Sequence, residues 1–174
     1  MTRAAAWAGE QRLCIALNRW AARRACLRLF RIVSRLGDGA FWYGLIALLG
    51  AFGGGQGRRA ALHMALLGAV AALLYRGLKR ATRRPRPFRA HAAITAWTAP
   101  LDEFSFPSGH TLHAVGFSLV AIAYVPPLAP LLVPFAAAVA LSRVVLGLHY
   151  PSDVLAAAVI GGALAGGSLW LAGA

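Results

Sequence analysis

An all-helical bundle embedded in a membrane is the fold this sequence predicts, and three observations predict it. Apolar residues fill 59% of the 174 positions and charged residues only 13%, against roughly 45–50% and about 25% in ordinary globular chains. The mean hydropathy is +0.63. The uncharged positions fall into runs approaching the ~20 residues that a spanning helix needs, punctuated by short charged or Gly/Pro-rich connections. A net charge of +13 gathers at the edges of these runs, where basic residues meet lipid headgroups. A disordered or nucleic-acid-binding chain of that charge does not carry so large an apolar fraction, so no nucleic-acid partner is expected. The length suits one domain, residues 1–174.

The elements follow in order. Residues 1–36 hold Arg12, Arg19, Arg23, Arg24, Arg28, Arg31 and Arg35, too many for a comfortable span. From Arg24 the arginines share one helical face, with Cys26, Leu29, Val33 and Leu36 on the other. That pattern predicts an amphipathic helix lying in the headgroup plane. A sixth span with snorkelling arginines is the alternative. The bundle is then residues 37–174, with spans near 39–52, 60–78, 110–124, 128–145 and 151–172, giving five or six transmembrane helices. Gly53-Gly54-Gly55 and Pro126-Pro127 mark two turns. Gly162 and Gly166 put two small residues on one face of the last span, suited to close helix packing. Cys14 and Cys26 are read into one helical stretch, too far apart to bridge. Arginines interrupt every early apolar run, so no cleavable signal peptide is expected.

With five spans, residues 79–109 and 146–150 lie at one membrane face, and the unusual residues concentrate there. Arg76, Lys79, Arg80, Arg83 and Arg84 recur on one face of a helix expected to stop before Pro85. Lys79 is the only lysine in the sequence, which makes its place there conspicuous; a stripe attracting anionic lipid is the plainer reading. Phe106-Pro107-Ser108-Gly109-His110 opens a helix, where free amides and the positive dipole end favour an anion. Ser108 offers a hydroxyl, or simply a cap, and His110 is an ionisable side chain at the mouth of a span. Arg143 ends an otherwise apolar span, Pro151 suits the first turn of the next, and Asp153 in that turn is close enough to orient the ring of His149.

Together Lys79, Arg86 and Pro87, then Pro107–His110, then Ser142, Arg143, His149 and Asp153 form the pattern K-x6-R-P, P-S-G-H and S-R-x5-H-x3-D. This resembles the type 2 phosphatidic acid phosphatases, or lipid phosphate phosphatases, in order and in internal spacing; the arginine-rich segment departs from the family's usual first span. The resemblance implies a metal-free phosphatase with no cofactor. His149 forms a phosphohistidine, Asp153 holds its ring, and His110 protonates the leaving group and then activates water. Lys79, Arg86, Ser108, Gly109 and Arg143 hold the phosphate oxygens. A phosphorylated membrane lipid and the bilayer are the implied partners. Phosphatidic acid, phosphatidylglycerol phosphate, a polyprenyl pyrophosphate and lipid A phosphate all remain open as substrate, as does the oligomeric state.

Two other classes stand beside this reading. A zinc hydrolase could draw on His110, His113, His149 and Asp153, but nearby cations oppose a divalent ion. A non-enzymatic protein that binds or moves anionic lipid explains the basic face, though not the pairing of His149 with Asp153. Vanadate haloperoxidases share the anion-pocket chemistry by analogy but are soluble. His63 and His91 receive no role, and Trp97 is read as an interfacial anchor. The inner membrane of a bacterium is the expected location. Positive-inside counting favours a cytoplasmic site, whereas family analogy, which is followed, favours the periplasmic face.

Overall fold

The computed structural model describes residues 3–173, and all regular structure among them is helical. Helix α1 (Arg3–Asn18) closes in a 3-10 turn at Arg19–Ala22, and extended Arg23 separates it from α2 (Arg24–Arg35). Cys14 and Cys26 therefore sit on different helices, not one, and both are free. From α2 the chain passes through a π turn at Leu36–Ala40 into α3 (Phe41–Phe52), kinked where Gly39 takes φ 136. The amphipathic segment is thus joined to the first span, and Arg24–Phe52 is one stretch long and apolar enough to cross a membrane. Its protein-facing side is not the arginine-free face. Leu29 and Leu36 are 57% and 40% exposed, while Phe30 and Ser34 are buried. An exposed leucine costs nothing at bilayer depth, and Ser34 is drawn inward because it accepts a hydrogen bond from Arg143.

Helix α4 (Gly54–Thr82) is 29 residues long, about 44 Å at 1.5 Å per residue. It ends at Thr82, where Arg83 turns left-handed at φ 47. The expected basic face therefore loses its last two members, Arg83 and Arg84. Arg84 precedes Pro85, is steered away from helical geometry, and points to Asp153 instead of continuing the stripe. One short turn, α5 (Pro87–Ala90), and a loop lead to α6 (Gly109–Tyr124). A 3-10 turn at Pro126–Leu128 joins it to α7 (Ala129–Val145), and α8 (Pro151–Ala172) completes the chain.

Helical stretches Gly54–Ala90, Pro126–Val145 and Pro151–Ala172 are also long and apolar enough to cross a membrane. Helix α6 has only 16 residues, yet it is the centre of the bundle, walled by α4, α7 and α8. A helix surrounded by protein rather than lipid has no need to match the full hydrocarbon thickness. Trp42, Phe117 and Phe135 interlock beside it, with centroids 5.5 Å apart in the pairs made by Trp42.

The close α6–α8 seam uses a different stripe from the one expected. Ala157, Gly161 and Ala165 are buried, whereas nothing approaches Gly166 within 4 Å. A Cβ added at Gly161 would stand 2.5 Å from the Leu112 carbonyl oxygen. Gly161→Val should therefore separate the helices and destabilise the protein by about 1–3 kcal/mol, as overpacking does. A lowered unfolding midpoint in detergent would show it, while an unchanged midpoint would mean the seam is loose. Trp97 is likewise no free anchor. It packs beside Ala21, Phe30 and Val145, and its carbonyl accepts from Arg31 at 2.9 Å.

Candidate active site

The ends of α4, α6 and α7 and the turn before α8 meet at one face, as the span count requires. Gly147, at φ 77, bends the chain after α7; a Cβ there would lie 2.4 Å from the Thr95 carbonyl. The bend brings the Leu148 and His149 amides onto the Arg143 carbonyl, at 3.0 and 3.1 Å. Asn18 ties the same turn to the loop, donating to the Thr95 and Val145 carbonyls at 2.9 Å each.

A cavity of about 850 Å³ opens there, and Lys79, Arg86, Gly109, His110, Arg143 and His149 all line it. Arg86 is 1% exposed. Its Nη1 donates to the Leu148 carbonyl at 2.8 Å and approaches His149 Nε2 at 3.3 Å. A guanidinium offers only donors, so this contact makes Nε2 the acceptor and leaves the ring proton on Nδ1. Burial, then the charges of Arg143, Arg86, Lys79 and His110, hold His149 well below an ordinary imidazole pKa. It is therefore neutral, with a lone pair facing the cations and the cavity.

Asp153 and Ser108 stand behind the wall instead of on it. The nearer oxygen of Asp153 is 3.6 Å from His149 Nδ1, longer than a hydrogen bond. Asp153 instead accepts from the Tyr150 amide at 2.8 Å and from Arg84 at 2.6 Å. Arg84 lies 4.0 Å over the Tyr150 ring and also pairs with Glu10 at 2.9 Å; Glu10 accepts from the Ser152 amide at 2.8 Å. Asp153 thus steadies the His149 turn through the backbone. Ser108 is fully buried. It caps α6 by accepting from the Thr111 amide at 3.4 Å, so the cap, not the phosphate donor, is what its contacts show.

Residues that the motifs did not point to complete the site. Asp102 Oδ1 lies between Lys79 Nζ, at 2.7 Å, and Arg86 Nη2, at 2.8 Å. Those two hydrogen-bonded cations outweigh its burial and hold the carboxyl below its usual range. Asp38, on the turn between α2 and α3, contacts His110 Nε2. The scarcity of acids was the available signal: an acid inside an apolar run asks for a cationic or histidine partner. His113 Nδ1 donates to the Gly109 carbonyl, 2.8 Å away, and serves the helix end. His63 bonds Tyr124 and Ser168, consistent with a structural place.

Elsewhere on the lining, Ile46, Met64, Ala65, Gly68, Ala69 and Ala72 give an apolar wall along α3 and α4. A charged end that suits an anion thus adjoins a greasy slot that suits a hydrocarbon tail. Such a fold and site define a membrane-embedded hydrolase of phosphoric esters. The PAP2 superfamily profile matches residues 59–174, and this chain belongs to that superfamily, as the sequence motifs implied. Decaprenylphosphoryl-5-phosphoribose phosphatase of Mycobacterium tuberculosis is 35% identical over 140 residues, covering 80% of this chain and 76% of its own length. Among solved structures, LpxE of Aquifex aeolicus superposes with a TM-score of 0.79 at 26% identity, over 91% of this chain and 93% of its own. The first transmembrane PAP2 type phosphatidylglycerolphosphate phosphatase from Bacillus subtilis superposes with a TM-score of 0.75 at 25% identity, over 99% and 88%.

Proposed function

We propose that this protein hydrolyses a phosphomonoester or diphosphate on a membrane lipid through a phosphohistidine, without a metal. The observation that carries this reading is the neutral His149 Nε2, aimed beside Arg86 into a cavity whose far walls are apolar. Nε2 forms the bond to phosphorus as the ester P–O bond breaks, and His110 gives its proton to the departing oxygen. Water then attacks the phosphohistidine, His110 takes the water's proton, and inorganic phosphate leaves. Lys79, Arg86, Arg143 and the first amides of α6 at Gly109 balance the charge on the non-bridging oxygens; phosphoryl transfer asks for little beyond such positioning and charge. Asp38 holds the His110 ring. Asp102 occupies the Lys79–Arg86 cradle and gives way to the phosphate. Asp153 supports the His149 turn.

The relatives act on phosphorylated lipids of different kinds, so the substrate is assigned by class. Phosphate release by the purified protein is to be measured on phosphatidic acid, phosphatidylglycerol phosphate, a polyprenyl diphosphate and lipid A, with a strong chelator present. Release from at least one of them is expected, and silence on all, in folded protein, would end the reading. The apolar slot makes a separate prediction. Ala69→Trp should lower the ratio of kcat/KM for a long-chain lipid phosphate over nitrophenyl phosphate by about 10-fold or more, the scale on which apolar pockets discriminate. An unchanged ratio would show that the tail lies elsewhere. By analogy with bacterial members of the family, the site is assigned to the periplasmic face of the inner membrane. Hydrolysis of a membrane-impermeant substrate by intact spheroplasts checks this.

A further inference from the structure

The cavity carries more positive charge than one phosphoryl group needs. The carboxylates on its walls are committed: Asp102 to Lys79 and Arg86, Asp38 to His110, and Glu103 to Arg89 at 3.6 Å. Arg143 donates to Ser34. Arg76 and Arg80 line the same cavity, yet among the described residues their guanidinium groups have no ion pair or side-chain hydrogen bond. Four residues apart, they are neighbours on the helix surface.

Their position on α4 gives that charge a direction. The helix runs toward the site face, and Lys79 stands in its last turn. Arg76 lies about 4.5 Å nearer mid-span, three residues at 1.5 Å each. Beyond it the wall continues through Ala72 and Ala69 into the apolar slot. A substrate with its reacting phosphoryl at His149 and its tail in the slot passes Arg76 between the two. A guanidinium one turn inside a span is expensive unless it meets an anion or snorkels outward. The free places on this cavity's wall therefore correspond to a second anionic group on the tail side of the reacting one.

We propose that Arg76 forms a second anion subsite that selects lipids bearing two phosphates in series: a terminal phosphoryl that is removed and a tail-side phosphate that stays with the lipid. A lipid diphosphate and a headgroup joined through a phosphodiester both present that chemistry. With a diphosphate, the bridging P–O bond breaks as the His149 N–P bond forms. The leaving lipid monophosphate carries the bridging oxygen, and Arg76 neutralises the charge that develops on it. This proposal rests on the lipid-phosphatase reading above.

The test uses the full chain in mixed micelles, with farnesyl diphosphate and farnesyl phosphate compared by initial phosphate release. Arg76→Gln should lower the ratio of kcat/KM for the diphosphate over the monophosphate by about tenfold, the worth of one charge-assisted hydrogen bond. Arg76→Lys should keep most of that ratio, because the charge remains. A glycerol-linked lipid bisphosphate in place of the diphosphate separates the phosphodiester source from the diphosphate source. In the wild-type protein, methylenediphosphonate should inhibit about tenfold more tightly than inorganic phosphate. Equal loss on both substrates, no loss on either, or equal inhibition by the two anions would overturn the subsite and leave the phosphatase reading intact. A folded wild-type protein inert on both substrates but active on another lipid of the panel above would overturn the subsite alone; silence on the whole panel would overturn the phosphatase reading, and the subsite with it.

Discussion

His149→Ala should abolish turnover, lowering kcat by about 10⁴-fold or more, the order expected when a covalent nucleophile is deleted. The loss is the same for a lipid phosphate and for an activated aryl phosphate, because both must be attacked by the same nitrogen. The ring is 2% exposed and held between the Arg86 contact and the Asp153 turn, so no neighbouring group replaces it. Its environment also fixes the sign of the pH dependence. Burial and then the surrounding cations depress its pKa well below 6.5, and the attacking form is the unprotonated one. Activity owed to His149 is therefore fully present at neutral pH and falls only as pH drops through that depressed value. The acid limb of kcat/KM should lie below the ordinary imidazole range, and a limb centred on that range would mean that a different group is titrating.

His110→Ala costs less, and unevenly. A general acid contributes about 10²- to 10⁴-fold, and its worth grows with the basicity of the leaving oxygen. A lipid alkoxide leaves poorly without a proton, whereas nitrophenolate departs as the anion. The variant should therefore lose far more kcat on the lipid than on nitrophenyl phosphate. Asp38→Asn should copy that asymmetry in milder form, because Asp38 acts through the His110 ring. Equal losses on the two substrates would remove the acid role from His110 and leave it as an oxygen-binding group. Stopped-time assays on both substrates, with the unfolding midpoint checked in parallel, make the comparison.

The spans were legible because an apolar run has few alternatives in a chain this poor in charge. The convergence of Lys79, Arg86, His110, Arg143 and His149 on one cavity was legible too, since the number of crossings between them decides which face they share. Partners distant in sequence were not. Asp38 meets His110 and Glu10 meets Arg84 only through tertiary packing, and no periodicity announces such pairs. The side of α2 that packs on the bundle was not legible, because amphipathicity locates the arginine-free face, while the neighbour that demands Ser34 lies on α7. Gly161 was passed over for Gly162 and Gly166 because spacing alone cannot say which small-residue stripe faces the partner helix. For Ser108 the sequence left a phosphate donor and a helix cap open, and for Asp153 an orienter of His149 or a residue completing the turn. The contacts present are a helix cap and a brace for the turn.

The central claim is that phosphate passes through His149. Rapid quenching of the wild-type enzyme during turnover of a labelled lipid phosphate, followed by peptide mapping, tests it most directly. The account predicts acid-labile, base-stable phosphate on His149, absent from His149→Ala and accumulating relative to wild type if water activation is slowed in His110→Ala. Label on any other residue, or undiminished turnover in His149→Ala, would contradict it.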